Sequence, residues 1–98
     1  MEKINRNLAL LPVNRREGLS EKQKRCVENY SNQVKLKAVI RWKPRLVAAG
    51  ASVQALAEKL KKPASRLAEW MNFTHEPGEQ NFLEVDAGIY QIEGKKAE

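Results

Sequence analysis

Residues 52–71 read Ser52-Val53-Gln54-Ala55-Leu56-Ala57-Glu58-Lys59-Leu60-Lys61-Lys62-Pro63-Ala64-Ser65-Arg66-Leu67-Ala68-Glu69-Trp70-Met71, and their spacing decides the fold class. Ser52 has the side-chain oxygen of a good N-cap. Val53, Leu56, Ala57 and Leu60 then fall on one face at helical spacing, which predicts a helix over 53–60. Lys61-Lys62-Pro63 forms the turn, and Pro63 suits the entry to a second helix. That helix is expected over about 64–71, with Leu67 and Trp70 inward and Ser65, Arg66, Ala68, Glu69 and Asn72 left outside. Two helices of about two turns each rarely stand alone, so further elements must cover Leu56, Leu60, Leu67 and Trp70. Ala57 is small enough to let the two helices cross closely.

Upstream, Gly50 marks the end of a preceding helix. Val34–Trp42 alternates in part like a strand, yet Leu36, Val39, Ile40 and Lys43 also make a helical stripe. A helix is preferred, kinked or interrupted near Pro44 and ending at Ala49, because proline removes an amide donor and restricts Lys43. Ser20 and Gln23 have capping-box spacing, predicting a helix from about Glu21 to Tyr30 with Cys26, Val27 and Tyr30 on its apolar face and a break at Ser31-Asn32. Residues 1–18 show no sustained period and read as a basic, partly disordered arm in which Leu8–Leu11 can dock. Downstream, Phe82, Val85 and Ile89 share a face, and Glu76 and Glu79 suit a helix N-terminus, so a helix is expected from about Gly78 to Ile92. Gly88 inside it costs up to about 1 kcal/mol. The same residues also fit a hairpin turning at Asp86-Ala87-Gly88, a β-wing, and this remains the alternative. The whole chain is therefore expected to be all-α, with four to five helices over 19–92, the motif at 53–72 and a flexible tail at 93–98.

The 98 residues suffice for one compact domain, and the single cysteine, Cys26, permits no disulfide framework within the chain. Cys26 reads as a small buried apolar residue, and the single histidine, His75, has no second ligand near it in sequence. No cofactor or metal site is expected. The apolar run Leu8–Leu11 is too short to span a bilayer, so no membrane partner is expected and a cytoplasmic setting is the simplest reading. Formal net charge is +6, and it is unevenly placed: residues 1–72 hold 16 Lys/Arg and 6 Glu, whereas 73–98 hold 2 Lys and 6 Asp/Glu. A basic body with an acidic C-terminal segment points to a polyanionic partner.

The stretch 52–71 resembles the helix-turn-helix of the lambda repressor and Cro family, with Leu56-Ala57, Leu60, Leu67 and Trp70 standing where that family places apolar and small residues. The likeness extends over about 36–92, through Pro77, Asn81, Phe82, Leu83, Val85 and Ile89. Lys61 stands where the family has glycine, Lys62 where it has an apolar residue, Pro63 where it has a Ser/Thr cap, and Pro44 within the preceding helix is atypical. The resemblance implies a lambda-repressor-like domain that binds double-stranded DNA with residues 64–72 in the major groove, as a regulator of transcription in a phage, prophage or mobile element in a bacterial host cell. Ser65 and Arg66 are then the expected base contacts, Arg to guanine being the commonest specific pairing. Ala64 or Ala68 would meet a thymine methyl. Glu69 would accept from cytosine or pair with Arg66 three residues back. Gln54 matches a phosphate-contacting position, and Lys61, Lys62 and Asn72 are expected at the phosphate rim. Trp42 and Trp70 read as core, and Arg6, Arg15 and Arg16 as an arm that tracks phosphates or a minor groove. One such helix reads few base pairs, so a homodimer or higher homo-oligomer is expected.

Two other functions fit parts of the chain. Residues 19–30 also resemble the opening of phage small terminase subunits, which implies DNA packaging or an architectural role, and the helical hairpin could serve as an adaptor for an acidic protein. An enzyme is the least favoured class, since no phosphate-binding glycine loop or paired-carboxylate constellation is visible.

Overall fold

The computed structural model describes residues 5–97, with side chains described through Gly94. A 3-10 turn (Leu8–Leu10) is followed by α1 (Val13–Glu17), α2 (Glu21–Glu28), α3 (Gln33–Ala48), α4 (Val53–Leu60), α5 (Ala64–Met71) and α6 (Glu79–Ala97). There is no strand among the described residues, so the β-wing alternative at 82–92 is excluded in favour of the helix. Helices α2–α6 are the five that the reading of 19–92 allows, and four departures from that reading concern architecture. The described parts of the arm, which holds α1, and of the tail are largely helical. The helix expected to break at Pro44 is continuous, and α2 stops two residues short of Tyr30.

The N-terminal segment is docked, not loose. Leu11 is buried, and Asn7 lies inside the protein with its amide donating to the carbonyls of Val27, Glu28 and Tyr30 at 2.9, 3.1 and 3.3 Å. Val27 and Glu28 are the last two residues of α2 and Tyr30 lies just beyond it, where carbonyls run out of in-helix donors; the Val27 carbonyl also accepts from the Tyr30 amide at 3.2 Å. An asparagine 20 residues upstream satisfies them and ties residues 5–12 to the body. The capping box of α2 forms as expected, with Ser20 Oγ accepting from the Gln23 amide and Gln23 Oε1 from the Ser20 amide.

In α3 the buried stripe is Leu36, Val39, Trp42 and Leu46, whereas Lys43, expected on it, is exposed. Pro44 sits on the solvent side, so the Ile40 carbonyl that loses its in-helix donor is not trapped in the core. Packing then holds the helix straight through the position where propensity alone would end it.

The acidic C-terminal segment is the counter-layer of the basic body. From α6, Asp86 accepts from Arg45 at 3.0 Å, Glu93 from Arg45 at 2.6 Å, and Glu84 pairs with Lys62. Glu93 was assigned to a flexible tail; its bond to Arg45 holds the last turns of α6 against α3. Gly88 has a reason to be glycine. A Cβ there would lie 2.9 Å from Leu60 Cδ2 and 3.1 Å from Leu56 Cδ1, so the bare backbone lets α6 close on α4.

Before α6, Glu76 accepts from Lys35 Nζ at 2.7 Å and from Ser31 Oγ at 2.8 Å. Burial by itself would raise this carboxyl, but donation from Lys35 and Ser31 brings it below the ordinary glutamate value of 4.5. A depressed carboxylate contributes stability that is complete above the unfolded-state value and lost as pH falls through the folded one. Stability measured by urea titration is therefore expected to fall as pH drops below about 4.5. Lys35→Met should flatten that acid limb, leaving the smaller part due to the surface carboxylates Glu84 and Glu93, which are also lowered by their hydrogen bonds to Lys62 and Arg45. An unchanged limb in the variant would disprove the assignment.

Candidate nucleic-acid interface

Helix α5 is fixed from its inner side. Leu67, Trp70 and Met71 are all buried, and the helix packs on α4 and α3. The apolar face of α6 packs mainly on α3 and α4. Ala57, in α4, is buried, as close crossing of the pair requires.

The 61–63 turn shows how the missing glycine is accommodated. Lys61 itself takes the left-handed conformation (φ 57°, ψ 42°), and the Lys62 amide donates to the Ala57 carbonyl at 3.0 Å. A non-glycine residue there costs roughly 1–2 kcal/mol. The same device ends the helices on either side: Gly50 at φ 71° with the Ala51 amide on Leu46, and Phe73 at φ 63° with the Thr74 amide on Glu69. Three consecutive helices thus finish in a Schellman-type cap, only one of them on glycine.

The outward side of α5 carries Ser65, Arg66 and Asn72 exposed, with Ala68 and Glu69 half-buried beside them. Ser65, Glu69 and Asn72 follow one another at i, i+4 and i+7, so they form one line along the helix. The side chains of Ser65 and Arg66 have no hydrogen-bond or ion-pair partner among the described residues. Pro63 provides no side-chain cap, and the Ala64 and Ser65 amides have no acceptor among the described residues. Gln54 is exposed in the first turn of α4, its Nε2 3.4 Å from Glu58 Oε1, and the Lys61 side chain is exposed and unpaired among the described residues.

Three sequence expectations change here. Lys62 is turned inward, donating to Asn81 at 2.9 Å and pairing with Glu84, so it staples the turn to α6 instead of standing at the rim. Ala64 is half-buried and packs against the core, whereas Ala68, also half-buried, lies beside the outward residues. Glu69 faces His75 Nδ1 at 3.4 Å, not Arg66, so the guanidinium is left uncommitted.

The structure also brings in residues that sequence reasoning kept apart. Gln23 Nε2 donates to the Asn72 carbonyl at 2.7 Å, and the Arg15 guanidinium lies over the Phe73 ring at 5.1 Å. Residues 14–23 therefore abut the C-terminal end of α5. The capping-box spacing exposed one end of the Gln23 amide; nothing in sequence signalled that the other end reaches 49 residues onward. Arg16, read as part of a free arm, is half-buried with its Nε enclosed and lacking a hydrogen-bond partner among the described residues.

Elsewhere the chemistry-bearing side chains are quiet. Burial pushes the Cys26 thiol up, Glu76 adds to this and Lys22 opposes it, which disfavours the thiolate. The described residues contain no group of three or more His, Cys, Asp or Glu placed to hold a metal ion, and no described helix is long and apolar enough to cross a membrane. Comparison with protein-family models, curated proteins and solved structures yields no match.

Proposed function

We propose that this chain is a lambda-repressor-like helix-turn-helix protein that binds double-stranded DNA sequence-specifically, with α5 in the major groove. The observation that carries this reading is the division of α5. Its inner side is locked by Leu67, Trp70 and Met71, while Ser65, Arg66 and Asn72 face solvent and the side chains of the first two have no intramolecular partner among the described residues. A helix fixed from behind with a polar front is what groove entry requires. Charge supports it: Lys35, Arg45 and Lys62 are neutralised within the fold, whereas Lys61 and Arg66, beside the presented face, are not paired among the described residues. The biological role in this reading is regulation of transcription for a phage, prophage or mobile element in the cytoplasm of a bacterial host, without a cofactor and without catalysis.

Two copies on a pseudo-palindrome complete the reading, because one short helix reads few base pairs. The outward side of α6 offers a surface for the second copy: Leu83 and Tyr90 are 54% and 72% exposed, with Ala87 and no charged residue between them on that line.

Selection of bound sequences from a random duplex pool tests function, specificity and half-site symmetry together. A single enriched motif is expected. Against it, Ser65→Ala and Arg66→Ala should each lose about 1–3 kcal/mol, roughly 5- to 150-fold, and relax preference at one position each. Uniform weak binding would favour the packaging or architectural role, and no binding at low salt would favour the protein adaptor. Enrichment that both variants share unchanged with the wild type would sink the groove assignment.

A further inference from the structure

We infer that the cleft between α1–α2 and the C-terminal end of α5 is a phosphate site that receives the DNA backbone at the far wall of the groove, with Arg15 as its charged donor. The inference rests on the groove reading and extends it to a second contact that the sequence placed in a loose arm. The cleft has a volume of about 290 Å³ and is lined by Asn14, Arg15, Gly18, Gln23 and Asn72 above Phe73. None of these is acidic. Arg15 has no carboxylate partner among the described residues; its contact is the Phe73 ring, 5.1 Å from the guanidinium carbon. Stacking on a ring face fixes the plane of a guanidinium and leaves its N–H edge free, the geometry suited to bidentate phosphate binding. Gln23 is already committed at both ends, to Ser20 and to the Asn72 carbonyl, so it acts as a strut. The side-chain amides of Asn14 and Asn72 are exposed and uncommitted among the described residues, which leaves two neutral donors beside the charged one.

Length places this cleft correctly. From Ser65 to Asn72 the helix advances about 10 Å at 1.5 Å per residue, close to the roughly 12 Å width of the major groove. If the Ser65 end meets bases beside one strand, the Asn72 end lies at the opposite strand's backbone, and Arg15 shares the cleft with Asn72 at that end of the helix.

The test measures binding of a mixed-sequence 20-bp duplex against salt by fluorescence anisotropy. Arg15→Met keeps apolar cover over Phe73 and removes the charge; Arg15→Lys keeps the charge. Loss of one phosphate contact lowers the magnitude of the log–log salt slope by about 0.9. The Met variant is expected to show that drop with a several-fold loss of affinity at low salt, and the Lys variant to retain the slope. Asn14→Ala, at an exposed position away from the core, should weaken binding several-fold with an unchanged melting temperature. Replacing single phosphates by neutral methylphosphonates should reveal one linkage whose neutralisation costs the wild type and not Arg15→Met. An unchanged slope in Arg15→Met overturns the inference, as does a cleft that answers only to millimolar inorganic phosphate in Arg15 Nε–H resonances. If Ser65→Ala and Arg66→Ala still lose site preference in that case, the groove reading survives it; a wild type that binds no duplex removes both.

Discussion

Trp42→Ala is expected to destabilise the protein by about 3–5 kcal/mol, more than any surface change could. Trp42 is fully buried in the middle of α3, its ring 5.6 Å from that of Phe82, and its Nε1 donates to Asp86 at 3.0 Å. Loss of the indole opens a cavity between α3 and α6, the longest two helices, and the burial term dominates. The hydrogen bond is worth about 1 kcal/mol by comparison. Asp86 is not stranded by its loss, because Arg45 also donates to it at 3.0 Å. Trp42→Phe removes this bond together with only part of the buried ring and should cost far less than alanine. For a domain of this size each kcal/mol moves the melting midpoint by roughly 4–8 °C, so alanine should lower it by some tens of degrees. A shift of a few degrees in calorimetry would mean that α3 and α6 are not held together at this point.

The same helix shows what sequence can and cannot disclose. Leu36 and Val39 were visible as core from spacing alone, and Trp42 as core from its type. Spacing from Leu36 also puts Lys43 on the stripe, where the buried set instead runs through Trp42 to Leu46, and the break that Pro44 argues for is a local rule that packing overrides. Capping signals at Ser20, Ser52 and Gly50 translate directly into bonds, since each depends on two or three neighbouring residues. The docking of residues 5–12 depends on Asn7 meeting carbonyls 20 to 23 positions away, at and just past the end of α2, and no periodicity encodes such a meeting. On the candidate interface, the outward set Ser65, Arg66 and Asn72 follows from helical geometry once α5 is placed. The inward turn of Lys62 does not, because its partners Asn81 and Glu84 belong to α6 and the distance between the two segments is a tertiary fact. Arg15 is the largest reassignment: a charge in a stretch without period becomes a stacked side chain beside Asn72.

Phe73→Ala should also cost about 3–5 kcal/mol, and the comparison with Phe73→Gly distinguishes two physical contributions. Phe73 adopts φ 63°, a region in which a bulky L residue is an outlier, yet its side chain is 1% exposed. The backbone strain is about 1–2 kcal/mol, while burial of an aromatic side chain contributes roughly 3 kcal/mol or more, so the ring wins and the turn is held open by what it anchors. Alanine removes the ring and retains the Cβ that causes the strain. Glycine removes both but gains about 0.4–1 kcal/mol of unfolded-state freedom, which offsets most of the relief. Urea midpoints should therefore fall steeply for both variants, with glycine equal to alanine or above it by up to about 1 kcal/mol. Glycine falling clearly below alanine would show that the left-handed turn carries no strain. In both variants Arg15 loses the surface it lies on, so residues 5–18 should become cleavable by trypsin at Arg15 and Arg16 before the core opens. Continued protection there would mean that Asn7 and Leu11 hold the segment without the ring.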